Sequence, residues 1–172
     1  MLFSEKMKLA DMVLASSKLL YVLPRFGIKL GFGEKTVDDV CTEMNISKAL
    51  FLQVCNVYTN FEYLPEPEEL QSICISELID YLHNSHTDYL KARISSLRSK
   101  VHKVAADCGK SGLMLNRFFD EYVKEVVKHF NYEEEVVFPY VQKLKAEGPQ
   151  ADYNISIYEK NHTDIEEKLD DL

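Results

Sequence analysis

Helical spacing of apolar residues dominates the chain from residue 76 onward and limits its fold more than any other feature. The pattern recurs in three stretches, at about residues 76–109, 112–147 and 150–172. Each stretch has one apolar face, and helices with such faces pack into bundles. The sequence therefore predicts an all-α fold, in which residues 76–172 form long antiparallel helices of an up-down bundle.

The first 60 residues differ, because their apolar stretches are short and are interrupted by proline and glycine. Thr36 and Ser47 are suitable N-caps, and Asn45 is a suitable end for the helix between them. Two short helices joined by a tight turn resemble a helix-turn-helix. We predict a small helical N-terminal domain at 1–60 and an acidic, proline-containing linker at 61–75.

Charge, cysteine usage and hydropathy narrow the functional classes. The net charge is −8, which argues against broad binding to nucleic-acid phosphates. The four cysteines form no CxxC pair and are expected to be buried, reduced thiols. No apolar run approaches the ~18 residues that a membrane span needs. These features predict a soluble cytoplasmic protein that is not associated with membranes.

Histidine and carboxylate side chains lie on the apolar faces of the predicted bundle. His129 and Glu133 are four residues apart, so they project from one face about one turn apart. His86 occupies the apolar face of the first long helix, and His162 occupies that of the third. A carboxylate on a buried face is costly unless it is paired or binds a metal.

Helix lengths predict that these residues meet. Measured from a turn near residues 108–112, His86 and His129 both lie roughly 30–35 Å along their helices. The turn near Gly148 brings His162 to a similar height. We therefore expect three helices to place His86, His129 with Glu133, and His162 in one layer of the bundle. Imidazole and carboxylate ligands suit iron, manganese or zinc, and spacing alone does not choose among these metals.

Other candidate ligands are less well placed. His102 lies about 24 Å along the helix from His86 and is expected at the surface or a loop end. His83 is one turn before His86 and is either a ligand, a supporting partner or solvent-facing, with solvent-facing favoured. Glu166 follows His162 by four residues and is either an added carboxylate or one of several solvated acidic residues, with the latter slightly favoured.

Several segments resemble the hemerythrin-like (HHE) di-iron domain of the iron–sulfur cluster repair family. The segment 129–139 matches the HxxxEE signature followed by Phe-Pro, and segments 78–86 and 161–164 resemble the first and third ligand helices. Residues 23–37 are similar to the small domain that precedes the bundle in that family. The resemblance extends over essentially the whole chain, and the bundle motif is more specific than the N-terminal one.

The resemblance implies a non-heme di-iron protein that repairs iron–sulfur clusters, or supplies iron to them, under nitrosative or oxidative stress. By carry-over, His86, His129 and His162 would be terminal iron ligands and Glu133 a bridging ligand. Iron–sulfur proteins would be its partners, and nitric oxide or oxygen would bind at the open position of the metal centre. Whether the protein turns over a substrate is left open.

Two departures from the family pattern affect these expectations. Where the family usually carries a Cys-Cys pair, this chain has Leu30-Gly31. The family's fourth helix, with a further HxxxE, has no counterpart before Leu172. The sequence is therefore expected to be a fragment with an exposed apolar groove and weak or single-ion metal binding, unless a second copy fills the groove in a homodimer.

Two other functional classes are alternatives to a di-iron protein. In one, the N-terminal helices bind DNA or a protein while the bundle senses iron or a gas. The candidate recognition helix, residues 47–60, has Lys48 but no arginine. It therefore has little positive charge with which to bind DNA. In the other, the chain is a purely structural helical interaction domain. That alternative does not explain why the histidines and Glu133 are predicted to lie at the same height in the bundle.

Overall fold

The computed structural model describes residues 2–148 and confirms the all-α class. These residues contain no β-strand, and extended pairing is limited to an isolated bridge between Lys8 and Thr36. The α-helices are α1 (Leu9–Ala15), α2 (Val37–Met44), α3 (Lys48–Thr59), α4 (Pro67–Gln71), α5 (Ile75–Asp88), α6 (Ile94–Ala106), α7 (Gly109–Tyr132) and α8 (Phe138–Glu147). Within residues 2–148, no helix has both the length and the apolar content to cross a bilayer.

The chain divides into two compact units, Met1–Ser85 and His86–Leu172. The division falls within α5, ten residues after the predicted linker at 61–75 ends. That linker contains the short helix α4, which begins with Pro67 and is capped by Glu66 and Glu69. A boundary between separately folding domains at 61–75 stays a prediction.

The N-terminal unit has the caps that the sequence predicts. The Thr36 side chain accepts a hydrogen bond from the Asp39 backbone, and the Asp39 carboxylate accepts one from the Thr36 backbone, which forms a capping box. Asn45 ends α2 in the left-handed conformation, and Ser47 caps α3. Two 3₁₀ turns, Ser17–Tyr21 and Leu23–Phe26, connect α1 to the glycine-containing loop.

A continuous apolar core lies between these short helices. Its largest members with no solvent exposure are Phe51, Leu9, Met12 and Leu19. Among the described residues of this unit, the buried polar side chain is Asn56, and it is paired: its Oδ1 accepts from the Phe3 N–H at 2.7 Å.

The second unit contains a helical hairpin. Helix α6 ends at Ala106 and α7 begins at Gly109, three residues before the predicted start at Gly112. Gly109 has φ +52°, which lets the chain reverse immediately. At Gly112 an added Cβ would lie 2.0 Å from the carbonyl oxygen of Ala105, so glycine permits the close approach of the two helices.

Two π-helical turns interrupt the long helices, and the sequence pattern did not predict them. One, Tyr89–Arg93, joins α5 to α6, and the other, Glu133–Val137, joins α7 to α8. Pro139 follows the second turn and lies in the first turn of α8, where its missing N–H is tolerated. The long helix is therefore interrupted by a widened turn just before Pro139.

The cysteines only partly match the expectation of buried thiols. Cys41 and Cys55 are buried, and burial raises the pKa of the Cys41 thiol to about 11. Cys74 is partly exposed, and Cys108 is exposed. The prediction was wrong for Cys108 because this residue lies in the turn between α6 and α7, outside either apolar face.

Candidate metal centre

Glu133 lies between two imidazoles. Its Oε2 is 3.0 Å from His86 Nε2, and its Oε1 is 3.6 Å from His129 Nε2. His86 is near the end of α5, His129 is in the last turn of α7, and Glu133 opens the π-helical turn that follows. The two oxygens of one carboxylate thus face histidines from two different helices.

Aromatic rings pack against the His86 imidazole. The Phe130 ring stacks on His86 with centroids 4.0 Å apart and planes 12° apart, and Phe138 lies nearly parallel at 5.7 Å. His86 is 8% exposed and Glu133 is 9% exposed. The stacking fixes the plane of the His86 imidazole, and the burial makes an uncompensated Glu133 carboxylate costly.

A second carboxylate contacts the other nitrogen of His86. Glu134 Oε1 is 2.8 Å from His86 Nδ1. Burial disfavours the charged imidazole, but the hydrogen bonds to Glu133 and Glu134 outweigh it and raise the pKa of His86 above its ordinary value. The imidazole is thus held from both sides by negative charge.

A pair of tyrosines lies beside the aromatic wall. The hydroxyl oxygens of Tyr89 and Tyr122 are 2.5 Å apart, and the Tyr89 ring meets Phe130 edge-on at 5.8 Å. Burial, together with the hydrogen bond to Tyr89, raises the pKa of the Tyr122 phenol. The Tyr122 phenol is therefore neutral near pH 7, and its hydroxyl is hydrogen-bonded to that of Tyr89.

The structure brings together three of the four metal ligands predicted from the sequence. His86, His129 and Glu133 form one cluster, as the helix lengths indicated. His162, the fourth, lies outside the described residues, and so does Glu166. His83 and His102 are both exposed, which agrees with the favoured solvent-facing interpretation.

Comparison with known families identifies the fold that carries this cluster. The hemerythrin HHE cation binding domain matches residues 74–172, which is more than half of the chain. The chain belongs to the hemerythrin HHE family. The HHE match contains His86, His129, Glu133 and His162, and it supports a metal-binding role for the domain. Comparisons with curated proteins and with solved structures gave no match.

The donor atoms of this cluster are of kinds that bind a divalent metal ion, and one pair of them has a suitable spacing. Two donors held at right angles about 2.1 Å from one ion lie about 3 Å apart. The His86–Glu133 separation of 3.0 Å is of that size. Within residues 2–148, no group of three or more His, Cys, Asp and Glu side chains is arranged to hold an ion by itself. A full ligand set therefore requires donors beyond these three, and the assignment of His86, His129, Glu133 and His162 as ligands stays a prediction.

Sequence reasoning assigned no role to Glu134, Tyr89 or Tyr122. Glu134 was visible in the HxxxEE motif, but helical spacing turns it about 100° away from Glu133. The available signal was Pro139, since a proline in a long helical pattern requires a local change in the preceding turn. No sequence signal paired Tyr89 with Tyr122, because their contact depends on the register of two helices.

Proposed function

We propose that this HHE protein is a non-heme di-iron protein that repairs iron–sulfur clusters, or supplies iron to them, under nitrosative and oxidative stress. The observation that supports the proposal best is the buried Glu133 carboxylate between His86 and His129 in an HHE domain. A purely structural helix pair has no need of such a group, since apolar side chains would fill the same space at lower cost.

The residues of the cluster have distinct roles in this proposal. His86 and His129 would bind metal through Nε2, and Glu133 would offer one oxygen toward each imidazole. Phe130 and Phe138 keep water from one face of the site. Iron bound there supplies redox chemistry and a coordination position for nitric oxide or oxygen.

The proposed partners are iron–sulfur proteins of the cytoplasm, whose clusters this protein would repair or supply with iron. A homodimer is a further proposal, since His86, His129 and Glu133 do not form a full ligand set within residues 2–148 and a second copy can supply further donors. Size measurement by light scattering tests it, and a monomeric, metal-loaded protein would contradict it.

The first test is metal content. Protein purified without oxygen should contain about two iron ions per chain, measured by elemental analysis. His129→Ala should lose most of this iron, because it removes a nitrogen donor that faces Glu133. His102→Ala is the matched control, since His102 is exposed on α6. Wild-type protein without iron would refute the di-iron proposal.

The second test addresses repair. The iron-loaded protein is mixed with an iron–sulfur enzyme whose cluster has been damaged by nitric oxide, and recovery of that enzyme's activity is followed. Recovery with wild-type protein, and its absence with His129→Ala, is expected. If the protein binds iron but the enzyme does not recover, the metal-binding proposal stands and the repair role is rejected.

A regulatory module is the second candidate. Helices α2 and α3 are separated by the three residues Asn45–Ser47, a connection of helix-turn-helix length. Lys48, the one cation at the start of α3, contacts Asp38 at 2.5 Å and Glu5 at 3.5 Å. These contacts disfavour phosphate binding, so this candidate favours a protein partner over DNA. Salt-dependent binding to duplex DNA would contradict that preference.

A further inference from the structure

Two consecutive glutamates contact one imidazole from opposite sides. Glu133 Oε2 lies 3.0 Å from His86 Nε2, and Glu134 Oε1 lies 2.8 Å from His86 Nδ1. In a regular α-helix neighbouring side chains point about 100° apart, so one such face does not present two successive carboxylates to a single ring. The local backbone does differ from an α-helix here.

The π-helical turn supplies that difference. The Phe138 N–H donates to the carbonyl of Glu133, five residues earlier, and the turn comprises Glu133–Val137. A π-turn has more residues per turn than an α-helix, so the directions of neighbouring side chains are closer together. Such turns appear frequently at functional sites. This one begins at the carboxylate that faces both histidines.

The contact at Nδ1 has a chemical consequence for Nε2. A neutral imidazole carries one proton, and a carboxylate at Nδ1 accepts a hydrogen bond from that proton. The lone pair is then on Nε2, the nitrogen that faces Glu133. Carboxylates that contact a ligating histidine in this way fix its tautomer and orientation and increase its basicity.

We propose that Glu134 is a positioning residue, which holds His86 with the proton on Nδ1 and presents Nε2 to the metal. The inference rests on the proposed metal-binding function and extends it to a residue outside the predicted ligand set. Phe130 fixes the plane of the ring by stacking, and Glu134 fixes which nitrogen is available. The π-turn allows Glu133 and Glu134 to act on the same histidine.

The test compares ferrous iron affinity, by competition with a chelator, in four variants. Glu134→Leu removes the acceptor and should weaken binding about 10-fold or more. Glu134→Gln keeps an acceptor oxygen at Nδ1 and should recover most of that loss. Glu135→Leu and Glu135→Gln are matched controls, because Glu135 is an exposed neighbour of the same charge. Both controls should bind iron like wild type.

Nitrogen-15 NMR of the zinc-loaded protein gives a readout that a merely structural role would not change. In wild type and Glu134→Gln, the His86 Nδ1–H proton should be shifted downfield and exchange slowly with water. In Glu134→Leu, it should lose the downfield shift and exchange faster. If Glu134→Leu does not fold, the Glu134→Gln and wild-type spectra still test whether Nδ1 carries the proton.

The outcomes separate this inference from the proposed function. Wild-type protein that binds no metal refutes both. Wild-type protein that binds metal, with affinity and spectrum unchanged in Glu134→Leu, overturns the inference alone. Loss of bound metal to the same extent in Glu134→Gln and Glu134→Leu also overturns it, because Glu134 would then be a ligand itself.

Discussion

The core of the N-terminal unit and the interior of residues 86–148 are built from different kinds of residue. Leu9, Met12 and Phe51 have no exposed surface, and the apolar cluster around them is continuous. In residues 86–148 the buried groups include His86 and Glu133, while Leu113 and Met114 are more than 70% exposed. The first unit is organised around apolar packing, whereas residues 86–148 keep the polar pair of His86 and Glu133 where an apolar contact would be more stable.

The difference indicates that stability constrains the N-terminal core, whereas metal binding constrains the residues around Glu133. Removing water from Glu133 has a cost that apolar residues in the same place would avoid. Its retention next to two histidines is what a metal-binding protein requires. We therefore expect core substitutions in the N-terminal unit to reduce stability strongly, and substitutions of His86 and Glu133 to separate stability from metal binding.

The largest expected effect is in the N-terminal core. Phe51→Ala leaves a cavity at the centre of a fully buried cluster and should lower the free energy of unfolding by about 3–5 kcal/mol. Hydrogen exchange of the α2 and α3 amides in denaturant measures this change. Leu14→Ala is the control, because Leu14 is 84% exposed. A cost below that of the control would show that this core is not the stabilising element.

The next effect concerns the hairpin turn. Gly112→Ala places a methyl group against the Ala105 carbonyl and should destabilise the hairpin by about 1–3 kcal/mol. Thermal unfolding measured by circular dichroism follows the change. Ser111→Ala, at the exposed preceding position, should be close to neutral. A neutral Gly112→Ala would mean that α6 and α7 do not approach as closely as the structure places them.

Variants of the His86–Glu133 pair test this comparison most directly. In metal-free protein, His86→Leu removes the imidazole 3.0 Å from the Glu133 carboxylate and should cost about 1–3 kcal/mol. The double variant His86→Leu with Glu133→Leu should recover this loss, because it removes both buried polar groups. Urea unfolding measures the stability, and elemental analysis should show loss of bound metal in both variants. A double variant less stable than His86→Leu would show that the pair stabilises the fold.

The smallest effect is at the start of α2. Hydrogen bonds from the Thr36 side chain and backbone lower the pKa of Asp39. Because the folded-state pKa is the lower one, Asp39 stabilises the protein above its unfolded pKa of about 3.9, and this contribution is lost as the pH falls through the folded pKa. Asp39→Asn should therefore be less stable than wild type at pH 6, with a smaller difference near pH 3.

Urea midpoints at the two pH values provide this measurement. Glu62→Gln serves as a control for loss of one exposed carboxylate. A difference between Asp39→Asn and wild type that grows toward pH 3 would contradict the direction of the Asp39 pKa shift.

Local chemistry in the sequence determined the helices and their caps. Thr36, Asn45 and Ser47 act through hydrogen bonds and backbone conformations that involve only nearby residues, so they could be recognised without a structure. The meeting of His86 with His129 and Glu133 was predictable for a related reason. A rise of 1.5 Å per residue converts sequence distance into height along a straight helix.

Only the tertiary structure decided how the cluster is completed around His86. Glu134 reaches Nδ1 because a π-turn alters the direction of its side chain, and a periodic pattern based on 3.6 residues per turn cannot anticipate that change. The contact between Tyr89 and Tyr122 depends on the register of two helices, which is set by the close approach at Gly112 and by packing along the hairpin. The sequence determined which residues share a helix face, and packing between helices determined which atoms of those residues meet.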